Sequence, residues 1–371
     1  MTQHAPKRKF KVCLVSISLA GGGAERSCAM LSEMLSEHGH EVHIAILNDA
    51  IDYPYAGRIF NLGRLKGKKE TTLRRFLRIR KLRRYIRKER FDIIIDHRGK
   101  NDYRREVFYA KYVYKGERLC YVVHSANPNL YLTEYPGKAA EMYNNNLLTV
   151  GVSSAICKHI TKNFGIRNCK VIHNAFDPNW NASDDNIPAI LQNKKYVLSY
   201  GRIEDSVKDF SFLIDAFSLS EAYKRNCYLV IMGEGRDKAM LQQKAAGVNG
   251  GSHILFLPFT NLPFSFIKHA HAVTLTSKYE GFPMVLVESL SVGVPVIALD
   301  IVSGPSEIVL HEENGLLVPK REESLFAQAI SRMCFDESLY LHCKSRAKET
   351  VEAFSKEQIA AKWDQLLQDE L

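Results

Sequence analysis

The chain has 371 residues, 46% hydrophobic and 25% charged, which suits two soluble globular domains better than a single core. Its net charge of +10 is spread unevenly: residues 1–180 carry 32 Lys+Arg against 16 Asp+Glu, and residues 181–371 carry 19 against 25. No run approaches the ~20 apolar residues that span a bilayer, and eight cysteines without a C-x-x-C exclude a zinc ribbon and predict reduced core thiols rather than a disulfide framework. A first half at +16 beside a second half at −6 predicts that the first half faces an anionic partner.

Lys7-Arg8-Lys9 precedes Val12 to Ile17, but this apolar run passes into Gly21-Gly22-Gly23 instead of a cleavage site, and it reads as a buried first strand. A helix follows from Ala24 to about Glu37. Further strands are expected at Glu41–Leu47, Phe91–Ile95, Tyr121–His124 and Leu148–Val152. A Pro-, Asn- and Asp-rich stretch from Phe176 to Pro188 coincides with the change in charge and reads as a linker; its sequon Asn181-Ala182-Ser183 carries no weight. Strands resume at Tyr196–Tyr200, Tyr228–Met232, His253–Phe256, Ala272–Thr276, Val294–Ala298 and Leu316–Val318, and an amphipathic segment, Ser355–Leu371, closes the chain. Strands alternating with helices imply an α/β fold, two doubly wound Rossmann-like domains. The expected boundaries are 1–178, a linker at 179–193, a second domain at 194–354, and a terminal helix at 355–371.

The run Tyr279-Glu280-Gly281-Phe282-Pro283-Met284-Val285-Leu286-Val287-Glu288 places two carboxylates seven residues apart across a helix start. Gly and Pro suit a tight entry, and the first-turn amides with the helix dipole favour an anion. Carboxylates accept hydrogen bonds from hydroxyls, so the pattern suits a sugar bearing phosphate. It resembles the E-x7-E element of retaining glycosyltransferases of GT-B architecture, and is most similar to glycosyltransferase family 4.

Other residues carry the same resemblance. Gly22-Gly23-Ala24-Glu25-Arg26 resembles the family's GGAER loop, whose glycines lie against donor phosphates. Tyr200-Gly201-Arg202 with Lys208 resembles its diphosphate clamp, with one extra residue between Arg202 and Lys208. Met232-Gly233-Glu234-Gly235 and Leu257-Pro258-Phe259 resemble its turns beside the nucleotide. His124 matches a strand-end histidine, and Asn174 a strand-end asparagine with a structural role. The resemblance implies His124, Arg202, Lys208 and Glu280 as catalytic residues. It implies Gly22, Gly23, Gly233, Pro258, Gly281, Phe282, Pro283, Met284 and Glu288 as donor-binding residues. With no D-x-D present, neither a metal nor another cofactor is expected.

Lys66 to Arg90 holds thirteen Lys or Arg against Glu70 and Glu89, interleaved with apolar residues at near-helical spacing. Arg74, Arg75, Arg78, Arg83, Arg84 and Arg87 are the expected contacts with an anionic membrane surface. The resemblance implies a cytoplasmic, membrane-peripheral enzyme that moves a sugar from a nucleotide sugar, UDP being the commonest, to a lipid-linked saccharide acceptor. Such chemistry serves surface polysaccharide, lipopolysaccharide or protein-glycan synthesis, and no nucleic acid partner is expected. The alternatives are an inactive relative that binds membrane or nucleic acid, and an enzyme acting on a soluble glucan or nucleotide sugar.

Overall fold

The computed structural model describes residues 8–67, 71–179, 187, 189–260 and 262–371. Lys7, Lys68, Lys69, Glu70 and the sequon at 181–183 lie outside them. The chain divides into two compact units, residues 1–175 with 356–371, and residues 176–355.

Unit 1 contains β1 (Lys11–Ser16), α1 (Gly23–Glu37), β2 (Glu41–Ile46), β3 (Arg58–Asn61), α2 (Thr72–Glu89), β4 (Ile93–Asp96), α3 (Tyr103–Phe108) and β5 (Leu119–Val123). It continues through α4 (Pro128–Tyr131), α5 (Pro136–Asn144), β6 (Leu148–Gly151), α6 (Ser154–Phe164) and β7 (Cys169–Val171). Its seven strands lie in the order β3-β2-β1-β4-β5-β6-β7, paired in parallel. Parallel strands covered on both faces read as near-continuous apolar runs, and β1, β4 and β5 are buried almost throughout. The two strands not foreseen from the sequence, β3 and β7, are the short edges of this sheet, where exposed residues such as Arg58 and Lys170 blur the apolar pattern.

Unit 2 contains β8 (Lys195–Tyr200), α7 (Asp205–Lys208), α8 (Phe210–Ser220), β9 (Cys227–Met232), α9 (Lys238–Ala246), β10 (Ile254–Leu257), α10 (Phe264–His269) and β11 (Ala272–Leu275). After these come α11 (Met284–Ser291), β12 (Val296–Leu299), α12 (Pro305–Ile308), β13 (Gly315–Val318), α13 (Glu323–Phe335) and α14 (Glu337–Arg346). Its parallel sheet runs β10-β9-β8-β11-β12-β13. Phe210, Leu213, Phe217, Phe326 and Met333 form the core between the sheet, α8 and α13.

Helix α15 (Lys356–Glu370) then packs on α1 within unit 1. Ile359, Trp363 and Leu367 are buried, and His40 Nε2 meets Asp364 Oδ1 at 3.1 Å with both side chains enclosed. The expectation that all cysteines are reduced needs correction. The β6-α6-β7 crossover brings Cys157 and Cys169, twelve positions apart, to a Cα separation of 5.7 Å, and they form a disulfide. That proximity arises from the crossover, which spacing alone does not reveal. The other six cysteines are free and buried.

Candidate active site

In each sheet the strand order reverses once, between β1 and β4 in unit 1 and between β8 and β11 in unit 2. Loops leaving the carboxyl ends of such a pair diverge and open a crevice for a ligand. In unit 2 those loops are Gly201–Lys208 after β8 and Thr276–Pro283 after β11.

Gly201 and Gly233 have φ of 142° and 152°, and a Cβ on Gly233 would collide with the Gly201 carbonyl oxygen. Only glycine permits this approach of the β8 and β9 loops. Arg202 is exposed, and its guanidinium meets no hydrogen-bonding or ionic partner among the described residues. Lys208, the last residue of α7, pairs with Glu280 Oε1 at 2.6 Å. Ser277 Oγ donates to the same oxygen at 2.6 Å, and Ser303 Oγ donates to the Glu280 carbonyl. The Glu280 loop is braced from below by Arg321, which reaches Asp209 Oδ2 at 2.6 Å and donates to the Thr276 and Ser277 carbonyls at 2.8 and 2.6 Å. Arg321, Ser277 and Asp209 were not foreseen, because they match no spacing pattern.

Glu288, within α11, is 2% exposed, and Tyr200 donates to its Oε2 at 2.6 Å. Gly281, Phe282 and Pro283 are buried, with the Phe282 ring edge-on to Phe354 at 5.1 Å. The Phe282 ring packs within the unit, so the donor-binding expectation for Phe282 falls on its backbone groups. Met284 is half-buried at the helix start, and Pro258 is exposed directly after β10.

In unit 1, Gly22 caps α1 and Gly23 opens it; a Cβ on Gly23 would meet nothing within 4 Å, whereas one on Gly22 would strike the Glu25 carboxylate, which folds back over it. Ser27 donates to Asn174 Oδ1 at 2.8 Å, a structural tie. His124 follows β5, and its Nε2 lies 3.0 Å from Nδ1 of His97, a residue absent from the sequence expectations. The Nδ1 of His124 and the Nε2 of His97 are both shielded and without partners among the described residues. Burial lowers His97 to about 3, and burial reinforced by His97 and Lys100 holds His124 well below the ordinary histidine value.

Beside this pair, Asp96, Arg98, Lys100 and Glu106 form a fully buried ionic cluster. Arg98 reaches Asp96 Oδ2 at 2.8 Å and Glu106 Oε2 at 3.0 Å. Burial pushes the Asp96 carboxyl up, yet Arg98 and Lys100 together outweigh it and keep it below the usual range. Asp96, His97, Arg98 and Lys100 are enclosed because β4 is a central strand.

Helix α2 buries only Leu82 and Ile86, while Leu73, Phe76 and Leu77 are 67%, 42% and 45% exposed. Arg74, Arg75, Arg84 and Arg87 are exposed. Arg78 and Arg83 are half-buried, and Arg83 turns inward, donating to the Tyr112 carbonyl while lying 4.3 Å over its ring. Glu41, His43 and Glu89 could together hold a metal, but Lys11 already reaches Glu89 at 2.7 Å and Glu41 at 3.2 Å. No helix among the described residues is long and apolar enough to cross a membrane.

Residues 182–350 match the family model "Glycosyl transferases group 1", and residues 21–180 match "Glycosyltransferase Family 4". A Campylobacter jejuni protein named N-acetylgalactosamine-N,N'-diacetylbacillosaminyl-diphospho-undecaprenol 4-alpha-N-acetylgalactosaminyltransferase is 28% identical, covering 94% of this chain and 97% of its own. The Erwinia amylovora amylovoran biosynthesis glycosyltransferase AmsD is 24% identical over 93% and 96% of the two chains. Among solved structures, Anabaena HepE in complex with UDP and glucose superposes with a TM-score of 0.79 at 20% identity, covering 96% of this chain and 99% of that one. Two parallel α/β units of this order, carrying these loops, define a GT-B glycosyltransferase. Matched by the family 4 model over residues 21–180 and by the group 1 model over residues 182–350, the chain is a glycosyltransferase of family 4 type.

Two outcomes follow for stability. His97 is held neutral by burial, as is His271, lowered to about 4, first by burial and then by Lys195 and Lys344. The unfolded chain binds protons more readily at both, so stability is complete above about pH 6.5 and falls as pH drops toward 4, by about 1.4 kcal/mol per pH unit for each histidine. Urea midpoints measured at pH 7.5, 6 and 5 should fall in that order. Tyr200→Phe removes a donor from the buried Glu288 and should cost about 1–3 kcal/mol in the same assay.

Proposed function

We propose that the enzyme transfers a sugar, a hexose or N-acetylhexosamine, from a UDP-sugar to a lipid-linked saccharide at the inner face of the cytoplasmic membrane, with retention of configuration and without a metal. The observation that carries this reading is the Lys208–Glu280 pair beside the unpartnered Arg202 at the unit 2 crevice. A diphosphate entering there gains Arg202, Lys208 and the first amides of α11. Lys208 exchanges Glu280 for phosphate, which frees the carboxylate to accept hydrogen bonds from sugar hydroxyls. Glu288, held by Tyr200, takes the ribose hydroxyls.

The two cations and the helix dipole stabilise charge as the C–O bond to the diphosphate breaks, supplying the electrostatic help that a metal gives elsewhere. The acceptor hydroxyl attacks from the face that the diphosphate leaves, and its proton passes to the departing phosphate oxygen. Gly22 and Gly23, at the start of α1, offer backbone that a ligand can approach. His124 serves through Nδ1, the ring nitrogen that His97 leaves without a partner, once the residues covering it give way.

A lipid-linked acceptor is supported by the name of the Campylobacter relative, which ends its substrate in diphospho-undecaprenol. It is supported also by α2, where exposed Leu73, Phe76 and Leu77 adjoin exposed arginines, the composition of a helix lying on anionic lipid.

Thermal shift with UDP- and GDP-sugars, run with and without EDTA, tests the donor: one UDP-sugar should raise the melting temperature equally in both, and Lys208→Ala should abolish the shift. Loss of the shift on adding EDTA would overturn metal independence. For the surface, replacing Arg75, Arg84 and Arg87 by Gln should weaken binding to anionic vesicles by about fivefold per residue, from about 1 kcal/mol each, while donor binding persists. Unchanged partitioning would leave α2 a solvated face.

A further inference from the structure

β4 and β5 are neighbouring parallel strands, and the chain leaves their carboxyl ends through His97 and His124. The two imidazoles stack at 5.2 Å with 29° between their planes, and one hydrogen bond joins His97 Nδ1 to His124 Nε2 at 3.0 Å. His97 is 2% exposed, and its main-chain N–H donates to the Val15 carbonyl of β1 at 2.9 Å, so its place is fixed by two strands. Asp96 and Lys100 are the charges that act on its ring. His124 is half-buried, with the Tyr131 ring of α4 centred 6.2 Å from its own.

The hydrogen bond between the rings has two senses, because burial keeps both imidazoles neutral. If His97 Nδ1–H donates, His97 Nε2 is bare and His124 carries its proton on Nδ1. If His124 Nε2–H donates instead, His97 carries its proton on Nε2 and His124 Nδ1 is bare. Those outer nitrogens, His97 Nε2 and His124 Nδ1, are the ones without partners among the described residues. Each sense therefore leaves one lone N–H and one lone acceptor, and the two differ only in which ring bears which. A buried N–H without an acceptor is the rarer and costlier orphan. On enclosed His97 it would stay unpaired, whereas on half-buried His124 a ligand oxygen relieves it.

We infer that His97 is a positioning residue of the transfer site: it donates through Nδ1 to His124 Nε2 and so fixes His124 as the tautomer with its proton on Nδ1. This role depends on the proposed contact of His124 with the sugar, and it defines that contact. The ligand meets a neutral N–H donor, which suits an oxygen lone pair such as that of a sugar hydroxyl. A ring whose Nδ1 holds a proton and whose Nε2 already accepts one hydrogen bond has no lone pair for base catalysis. The proton of the attacking hydroxyl goes elsewhere, in keeping with its transfer to the departing phosphate oxygen.

Two-bond proton–nitrogen correlation spectra of protein carrying isotope-labelled histidine distinguish a protonated ring nitrogen from a bare one, and they need no turnover. The signals of His97 and His124 are identified by their disappearance in His97→Asn and His124→Asn. Both rings should be protonated on Nδ1 and bare on Nε2; protonation of both on Nε2 would overturn the proposal. Turnover supplies the second readout. His97→Leu removes the donor while filling the space, and should lower kcat with the UDP-sugar by about tenfold. His97→Asn, whose amide N–H takes the place of Nδ1–H, should restore most of that rate. A urea midpoint lowered in both variants, with activity restored only by Asn, supports positioning. Equal losses of activity in the two variants, or none in His97→Leu, would reduce His97 to packing and sink the role. If the wild-type protein turns over no UDP-sugar, the proposed reaction fails, and the spectra alone decide the His97 assignment.

Discussion

The Lys208–Glu280 ion pair closes the point at which the unit 2 sheet reverses its strand order. Lys208 arrives on the loop from β8 and Glu280 on the loop from β11, so the pair forms only when both strands are central and parallel. Everything else near it maintains that contact. Arg321 anchors the 276–277 backbone, Ser277 orients the carboxylate, and Ser303 ties its main chain. Because the pair is partly exposed, its own contribution to stability is small, about 0–1 kcal/mol. Its value lies in holding a cation and a carboxylate together at one place.

Unit 1 uses charge differently. Asp96, Arg98, Lys100 and Glu106 are enclosed at the carboxyl end of β4, where each ion is desolvated and must find its partner inside the protein. Such clusters seldom add net stability, but removing one member leaves an uncompensated charge. The arrangement therefore over-determines the backbone around His97, and through the 3.0 Å contact it orients His124. Rigidity at a strand end, rather than stability, is what these four residues provide.

Unit 2 also separates two groups of basic residues. Arg202 and Lys208 follow the carboxyl end of β8, where Glu280 answers Lys208. Lys195, Lys268 and Lys344 line a recess at the amino edge. A parallel sheet makes this separation unavoidable, since its two edges are a strand length apart and are reached by different sets of loops.

The sequence by itself determined the α/β class, the central strands, the terminal helix and the family, because apolar runs and short-range motifs such as Gly22-Gly23-Ala24-Glu25-Arg26 and Glu280 to Glu288 are local properties. The edge strands β3 and β7 escaped it, since edge residues are half-exposed and lose the apolar pattern. So did the Cys157–Cys169 disulfide, the burial of the Phe282 ring and the inward turn of Arg83, each of which depends on what a distant segment brings alongside. His97 and Arg321 belong to the same class. Their importance comes from partners 27 and 112 positions away, His124 and Asp209. Only packing decides such contacts, because a side chain's chemistry is legible in the chain while its neighbours are set by how the sheets are wound.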